Sequence, residues 1–278
     1  MDSAHPWLEI VRGDAPLVVS FPHTGTVLPE DIAARLVSPW LARRDTDWWV
    51  DRLYGFVHVL GATTLRTTIS RTVVDVNRRP DGVSLYPGQN TTGLCPTTTF
   101  DNEPLYLPGQ EPGPQEVARR RATWFEPYHQ ALAAEIARLR ARHPRVVVYD
   151  AHSIRSAIPH LFEGRLPQFN IGTASAPGEV DASCAPALAA AVEAACAASG
   201  LGHVRNGRFR GGWITRHHAA PHAGVHCIQM ELACRGYMDE PDTPTPGNWP
   251  TPLRAGGAPV RPVLEQVIDA CLRFARDG

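Results

Sequence analysis

Two short apolar stretches rich in β-branched residues each lead directly to a histidine, and they constrain the fold more than any other feature. One is LVVSFPHTG, which reaches His23, and the other is RVVVYDAHS, which reaches His152. Short apolar runs bounded by turn residues are typical of strands that helices cover on both faces. Between them, PQEVARRRATWFEPYHQALAAEIARLRARH has the apolar spacing of a long amphipathic helix. Strands that alternate with helices predict an α/β fold.

The remaining segments continue this alternation. Further strands are predicted in ATTLRTTISRTVVDVN, FNIGT and VHCIQMELACR, and further helices in PEDIAARL, DTDWWVDRLYGFVHVL, SCAPALAAAVEAACAASG and RPVLEQVIDACLRFA. We therefore expect one α/β domain over residues 1–278, with a mixed, mostly parallel central sheet and helices on both faces.

Residues 79–114 are dense in proline, glycine and threonine, and they predict a long loop inserted in this domain. Loops of this length without regular structure are uncommon in compact domains and are frequently functional. We expect the loop to form a wall or lid over a site. The alternative is a surface insertion.

The charged residues exclude several classes of function. All 27 basic side chains are arginines, so no lysine is present for a Schiff base or a phosphate-binding P-loop. The formal net charge of -1 creates no field that would attract nucleic acid or an anionic membrane. We expect a small-molecule ligand, and neither nucleic acid nor a membrane as partner.

The cysteines and the N-terminus are typical of a cytoplasmic protein. Six scattered cysteines without a C-x-x-C pair predict reduced thiols, and the N-terminus lacks a basic segment followed by an apolar one. Cys95 in GLCPTTTF is a candidate thiol nucleophile. However, the sequence indicates no partner histidine and no helix N-terminus that would lower its pKa.

The two strand ends suggest a metal site. Ligands of open α/β sheets bind beyond the carboxyl ends of the strands, where His23 and His152 would both lie. Two histidines and one carboxylate, with a fourth position open to water, are typical of catalytic zinc. The candidate third ligands are Asp45, Asp47, Asp51 and Asp75. The alternative is that each histidine is a hydrogen-bonded structural residue.

The strand VHCIQMELACR carries a candidate proton carrier. Side chains alternate along a strand, so Ile228, Met230 and Leu232 should face one side, and Gln229 and Glu231 the other. Glu231 then points either to solvent from an edge strand or into a cleft. In a cleft it would be placed to take a proton from metal-activated water and pass it to a leaving nitrogen.

The segment SRTVVDVNRRPDG carries arginines whose planar guanidinium groups suit bidentate binding of carboxylates. Arg71, Arg78 and Arg79 belong either to a site or to a solvated face. The apolar TVVDV in the middle predicts a buried strand, with Asn77 and Arg78 emerging at its end beside the histidines.

Seven motifs, taken in chain order, resemble the N-formylglutamate amidohydrolase family of histidine degradation. They are SFPHTG, DTDWWVDRLYGF, SRTVVDVNRRPDG, SLYPGQNTTGLCPTTTF, DAHSIRSAIPHLFEG, GRFRGGWITRHH and HCIQMELACRGYM. The resemblance covers most of the chain, and the long loop is its most distinctive part. It implies a zinc-dependent amidohydrolase with one Zn²⁺ per chain and a fold similar to that of the zinc carboxypeptidases.

The resemblance also implies a set of metal ligands. His23 and His152 are the implied histidine ligands. A carboxypeptidase places its acidic ligand three residues after the first histidine, where this sequence has Thr26. We therefore expect Asp47 as the third ligand, with Asp51 as the second choice.

The implied reaction is hydrolysis of N-formyl-L-glutamate to formate and L-glutamate. Glu231 would be the general base, and Arg71 would stabilise the tetrahedral oxyanion. The expected carboxylate-binding residues are Asn77, Arg78 and one or more of Arg155, Arg210 and Arg216.

The alternative functions are a related metal-dependent amidohydrolase or carboxypeptidase acting on another N-acyl amino acid, and a non-catalytic protein that binds an acidic metabolite. The expected assembly is a monomer or a small homo-oligomer.

The segment TRHHAAPHAGVH carries further histidines, which suggest either a second metal site or a different set of ligands for the first site. They are His217, His218, His222 and His226. Because the resemblance already completes a ligand set, we expect these histidines to lie beside the pocket or on the surface.

Overall fold

A mixed seven-stranded sheet forms the centre of the protein, which we describe from a computed structural model over residues 5–85 and 88–277. The strands are β1 (Leu8–Val11), β2 (Leu17–Phe21), β3 (Thr63–Thr67), β4 (Val146–Ile154), β5 (Phe169–Gly172), β6 (His203–Arg205) and β7 (Val225–Ala233). They lie in the order β1-β3-β2-β4-β7-β5-β6. Only β1 with β3 and β7 with β5 pair antiparallel. The prediction of a mixed, mostly parallel sheet is confirmed.

Helices cover both faces of the sheet, as predicted. They are α1 (Glu30–Ala33), α2 (Val50–Leu53), α3 (Pro114–Arg120), α4 (Glu126–Arg140), α5 (Pro186–Ala198), α6 (Trp213–His217) and α7 (Arg261–Arg276). On one face, Tyr128 and Leu132 of α4 pack with alternate residues of β2 and β4. On the other face, α5 and α7 pack with the intervening residues of the same strands. Each face therefore buries its own apolar cluster, which stabilises the sheet.

The sheet face that carries α4 changes from apolar to polar along the strands. On β4, Val148 lies in the apolar cluster, whereas Asp150 and His152 follow on the same face. On β7, Cys227 lies in the same cluster and Glu231 follows. Because β4 and β7 are parallel and His152 is paired with Glu231, the two polar ends lie side by side.

The segment TVVDV is buried but is not a strand, so this part of the prediction is wrong. β3 ends at Thr67, and the chain continues through turns. Asp75 Oδ1 accepts a 2.9 Å hydrogen bond from the backbone N–H of Asn77. Such local contacts between side chain and backbone favour turns over sheet pairing.

The helix predicted over DTDWWVDRLYGFVHVL is also interrupted. Trp49 has a left-handed backbone conformation, with φ 65°, immediately before α2. A right-handed helix cannot extend through such a residue. The segment therefore contains only the short α2 and a 3₁₀ turn at Gly55–His58, and Asp47 lies in a turn before α2.

The predicted long helix begins at Pro114 and contains a π turn, Arg121–Phe125, between α3 and α4. The strands FNIGT and VHCIQMELACR and the helices α5 and α7 agree with prediction. Sequence patterns did not predict β1, β6 or α6, which are all short.

Residues 79–113 contain no helix or strand within the part of the chain that the structure describes, in agreement with the predicted loop. Tyr86 and Pro87 of the motif SLYPGQNTTGLCPTTTF lie outside the described residues. The backbone N–H of Phe100 attaches the loop to Asp45 by a 2.7 Å hydrogen bond. That residues 1–278 form one domain stays a prediction. None of the described helices has the length and apolar character needed to cross a membrane.

Candidate metal centre and active site

Three side chains from separate segments meet at the carboxyl end of the sheet. His23 lies two residues after β2, Asp47 lies in the turn before α2, and His152 lies near the end of β4. All three are buried, and one potential ligand atom of each lies within 4.8 Å of the others. Asp47 Oδ2 is 3.6 Å from His23 Nδ1 and 3.0 Å from His152 Nδ1. This group, called the metal triad below, can hold a metal ion.

Backbone contacts bring His23 and Asp47 together. The amide N–H of Asp47 donates a 3.0 Å hydrogen bond to the carbonyl oxygen of His23. Two residues after His23, a Cβ atom at Gly25 would lie 2.3 Å from the carbonyl oxygen of Ile69. Only glycine permits so close an approach of two backbones, which explains why glycine occupies this position in PHTG.

Two further carboxylates orient the imidazole rings. His23 Nε2 lies 2.7 Å from Asp75 Oδ1, and His152 Nε2 lies 2.9 Å from Asp150 Oδ2. A proton on each Nε2 would be donated to its carboxylate, which leaves the lone pair on each Nδ1 directed toward Asp47. Metal-binding histidines typically have such partners, because the partner fixes the ring orientation and the tautomer.

Asn77 connects this outer layer to α6. Its Nδ2 donates to Asp150 Oδ2 at 3.0 Å, and its Oδ1 accepts from the backbone N–H of Ile214 at 2.8 Å. A Cβ atom at Gly212 would lie 2.4 Å from Asn77 Nδ2. The tightly packed side chain of Asn77 therefore connects β4, α6 and the turn that carries Asp75.

The electrostatic environment of the metal triad favours a cation. Burial opposes the ionisation of Asp47, but the neighbouring imidazoles of His152 and His23 outweigh burial and hold the pKa of Asp47 below its usual value. Burial opposes the charging of His152, but Asp150 and Asp47 raise the pKa of His152 well above its usual value. His23 Nδ1 and Asp47 Oδ1 are buried and have no hydrogen-bond partner among the described residues. A metal ion would satisfy both atoms, so these residues fit one.

Glu231 lies next to the metal triad on β7, where it is paired with His152 of β4. Ile228, Met230 and Leu232 face the opposite apolar cluster, so the predicted alternation along β7 is confirmed. Glu231 lines a cavity and β7 is a central strand, which excludes an edge position. Burial raises the pKa of Glu231 to about 8. A carboxyl group with a pKa near neutral pH is suited both to accept and to donate a proton.

The charged residues that line the cavity beside the metal triad are mainly basic. Apart from the triad, they are Arg71, Arg78, Arg208 and Glu231. Arg71 Nη2 donates to Asp75 Oδ2 at 2.7 Å, and its guanidinium carbon lies 4.8 Å from the ring centroid of Phe100. Phe100 and residues 90–92 line the cavity, so the long loop contributes directly to the site.

Comparison with known proteins is consistent with this arrangement. The family model described as N-formylglutamate amidohydrolase matches residues 15–238. The chain belongs to the N-formylglutamate amidohydrolase family. This confirms the family resemblance of the sequence motifs.

Curated relatives in this family match almost the whole chain. A protein from Pseudomonas aeruginosa and one from Pseudomonas putida are both named N-formylglutamate deformylase, and they are 47% and 41% identical over 272 residues. Each match covers 97% of this chain and 97% of the relative.

Solved structures show the same fold. The crystal structure of N-formylglutamate amidohydrolase from Ralstonia eutropha JMP134 is 25% identical, covers 96% of both chains and has a TM-score of 0.75. A crystal structure of a protein from Agrobacterium tumefaciens is 17% identical, covers 99% of this chain and 98% of its own, and has a TM-score of 0.70. The predicted α/β fold class is confirmed.

In this N-formylglutamate amidohydrolase family member, the four candidate third ligands have different environments. Asp47 lies in the metal triad, whereas Asp75 lies in the outer layer. Asp51 forms an ion pair with Arg66, with 3.2 Å between Oδ2 and Nε, and Asp45 binds the long loop. That Asp47 is the third ligand stays a prediction, and its position supports it.

The arginines of the family motifs divide into two groups. Arg155, Arg210 and Arg216 are not among the residues that line the cavity, and Arg155 is ion-paired with Asp101. Their contact with substrate stays a prediction. Arg208 lines the cavity, and sequence reasoning missed it. The only sequence signal for Arg208 was its place in the motif GRFRGGWITRHH, because its side chain has no feature that distinguishes it from the neighbouring arginines.

The environment of Cys95 does not favour a thiol nucleophile. Cys95 is buried, and burial raises the pKa of its thiol to about 11. A thiol with such a pKa is almost fully protonated near neutral pH, so little thiolate is available. The other five cysteines are also buried and unpaired.

Two histidines of TRHHAAPHAGVH, His217 and His218, pack together beside His129, whereas His226 lies elsewhere. His217 stacks on Trp213, His218 Nε2 lies 2.9 Å from His129 Nδ1, and His226 packs on Phe274. Within residues 5–85 and 88–277, the metal triad is the only group of three or more histidine, cysteine or acidic side chains with suitable spacing for a metal.

Proposed function

We propose that the protein is a metal-dependent deformylase that hydrolyses N-formyl-L-glutamate to formate and L-glutamate, as a step of histidine degradation. The observation that carries the proposal is the buried metal triad with Glu231 beside it, in a chain 47% identical to an N-formylglutamate deformylase. The basic lining of the adjoining cavity supports an acidic substrate.

Zinc is the proposed metal, with one ion per chain. His23, Asp47 and His152 would hold it, because two imidazole nitrogens and one carboxylate oxygen suit Zn²⁺ and leave a position open. When bound, zinc supplies Lewis acidity toward the formyl carbonyl group and toward water. Asp75 and Asp150 orient the two ligand imidazoles.

Glu231 is the proposed proton carrier. It accepts a proton from the water that attacks the formyl carbon, and it passes this proton to the amide nitrogen as the C–N bond breaks. The products are formate and the free amine of glutamate. Its position in the cavity wall and its raised pKa support both steps.

Arg71 is the proposed stabiliser of the negative charge that develops on the formyl oxygen. Its guanidinium group is held by Asp75 and by the ring of Phe100, so it is oriented before substrate binds. Preorganised donors of this kind are effective in sites shielded from water.

Arg78 is the proposed ligand of the substrate carboxylate nearest the reacting amide. For Asn77 we propose a positioning role, because both ends of its amide are already hydrogen-bonded to Asp150 and Ile214. A guanidinium group binds a carboxylate in a bidentate manner, which also orients the amide for attack.

Formate release from N-formyl-L-glutamate tests the proposal. Purified protein is assayed as prepared, after chelation, and after zinc is restored. We expect activity to disappear on chelation and to return with zinc. Absence of formate from fully metal-loaded protein would refute this substrate, and a panel of N-acetyl and N-succinyl amino acids would then test other acyl groups. Formate release that chelation leaves unchanged would refute the role of the metal.

A further inference from the structure

A second cleft lies at the amino ends of β4 and β7, whereas the metal triad lies at their carboxyl ends. In this parallel pair, Val146 is paired with Val225 at one end and His152 with Glu231 toward the other. His226 lines the second cleft and precedes Glu231 by ~17 Å along β7. The cleft has a volume of about 470 Å³. It is therefore separate from the cavity beside the metal triad.

This cleft, called the basic cleft below, has positive charge that no carboxylate balances. Its basic lining residues are Arg140, Arg145, His222 and His226. Within residues 5–85 and 88–277, no acidic residue lines it. The nearby Arg138 and Arg142 differ, because both form ion pairs with Asp14. A small anion in the basic cleft would therefore meet uncompensated positive charge.

Backbone carbonyl groups hold the two arginines of the basic cleft. Arg140 Nε donates to the carbonyl oxygen of Ala223 at 3.0 Å, and its Nη1 donates to that of His143. Arg145 Nη1 donates to the carbonyl oxygen of Phe274 at 3.3 Å, and its guanidinium carbon lies 4.9 Å from the ring centroid of Phe274. These contacts orient both guanidinium groups without neutralising them, because carbonyl groups carry no net charge.

Gly224 leaves room for the Arg140 side chain. Its φ of 76° lies in the left-handed region that favours glycine. A Cβ atom at this position would lie 3.1 Å from the guanidinium carbon of Arg140 and 2.5 Å from the carbonyl oxygen of Pro144. Only glycine therefore permits this placement of Arg140 against the wall of the basic cleft.

His226 supplies an N–H donor from a buried ring. The residue is 4% exposed, and its Nδ1 accepts a 3.1 Å hydrogen bond from the backbone N–H of Ala185. Burial and the charges of Arg145 and Arg140 lower the pKa of His226 to about 4, so the ring is neutral near pH 7 with its proton on Nε2. Nε2 has no hydrogen-bond partner among the described residues. Its N–H is therefore available to an acceptor in the basic cleft.

We propose that the basic cleft binds a phosphate group, contacted by the guanidinium groups of Arg140 and Arg145 and by the Nε2–H of His226. A phosphate group carries up to two negative charges and has several acceptor oxygens, which match two cations and a neutral donor. A carboxylate has one charge and would leave one arginine unbalanced. In addition, α5 begins at Pro186 beside the basic cleft without an acidic residue in its first turn, so its dipole adds to the attraction. The proposal does not depend on the reaction at the metal triad.

The test follows the imidazole signals of His226 by heteronuclear NMR while inorganic phosphate is added to metal-loaded protein with labelled histidines. Sodium chloride keeps the ionic strength constant, and the loss of the signals in His226→Gln identifies them. We expect a saturable shift with a Kd of about 1 mM or below, because two charge-assisted contacts form. Phosphate at the metal triad would not give this signal, since His226 lies toward the other end of β7.

Arg145→Gln should weaken phosphate binding about 10- to 100-fold, because it removes one charge-assisted contact. Arg140→Gln should have the same effect, and it serves as the second variant if thermal unfolding shows that Arg145→Gln does not fold. The matched control is Arg142→Gln. It removes the same charge from an exposed arginine outside the basic cleft, so Kd should change less than about twofold.

Glycerol 2-phosphate, added in a parallel titration, distinguishes the sources of the phosphate group. Tighter binding than that of inorganic phosphate supports a site for phosphate monoesters, and weaker binding supports a site for free phosphate. A shift that does not saturate with either compound, or that sodium chloride alone reproduces, would overturn the proposal. An unchanged Kd in folded Arg145→Gln and Arg140→Gln would do the same.

Discussion

Replacing Glu231 by glutamine removes one titratable group while it conserves size and shape. The Glu231 side chain is buried, and Gln229 Nε2 lies 3.5 Å from Glu231 Oε2. An amide at position 231 can still pack against β4, but it cannot accept a proton. The Glu231→Gln variant therefore separates proton transfer from packing.

We expect the variant to lose about three orders of magnitude in kcat. A positioned general acid and base accelerates a reaction ~10²–10⁴-fold. A loss of about 1,000-fold in kcat corresponds to about 4 kcal/mol of activation free energy. Burial of Glu231 supports a value well inside that range, because bulk water has little access to replace the missing base. KM should change little, since the arginines of the cavity are unaltered.

The assay is steady-state formate release combined with the zinc content of the same preparation. Zinc content should equal that of wild type, because Glu231 is not part of the metal triad. Glu163→Gln is the control, since Glu163 is an exposed glutamate on a neighbouring segment and should tolerate the same change. A kcat within tenfold of wild type at full zinc content would refute the proposed role of Glu231. Loss of zinc would place Glu231 among the ligands instead.

Three further changes test other parts of the structure. Asp75→Asn weakens the orientation of His23, so zinc affinity measured by chelator competition should fall about 10- to 100-fold, and an unchanged affinity would contradict the outer-layer role. Burial lowers the pKa of His129 to about 4, so stability is retained above pH 6.5 and is lost as the pH falls toward 4, by up to about 3 kcal/mol. Urea unfolding across this range should show a weaker pH dependence in His129→Gln, and an identical dependence would argue against a buried neutral imidazole. Cys95→Ser should retain full formate release, because the Cys95 thiol is protonated near neutral pH.

Local periodicity predicted most of the regular structure. The runs that became β2, β4 and β7 were recognisable because central parallel strands are apolar on both faces until they reach the site. The same patterns failed at TVVDV and at Trp49. In the first case the Asp75 side chain hydrogen-bonds to local backbone, and in the second a left-handed residue interrupts the helix. Neither feature changes the spacing of apolar residues along the chain, so this spacing could not predict it.

The histidines and Glu231 were predictable for the same reason. A polar residue that follows an apolar strand must lie at the carboxyl edge of the sheet, so His23 and His152 were expected to be neighbours. Alternation along β7 placed Glu231 on one face, but it left open whether that face was at an edge or in a cleft. The position of β7 between β4 and β5 decides this.

By itself, the sequence determined the α/β fold, the positions of His23 and His152 at the ends of two strands, and the face of β7 that carries Glu231. It could do so because strand periodicity is a local property of the chain. Only the tertiary structure decided that Asp47 lies with the histidines while Asp75 orients one of them. It also decided that Arg208 reaches the cavity wall whereas Arg155 binds Asp101. These outcomes depend on distances between segments that are remote in sequence, and chemically identical side chains carry no local signal of them.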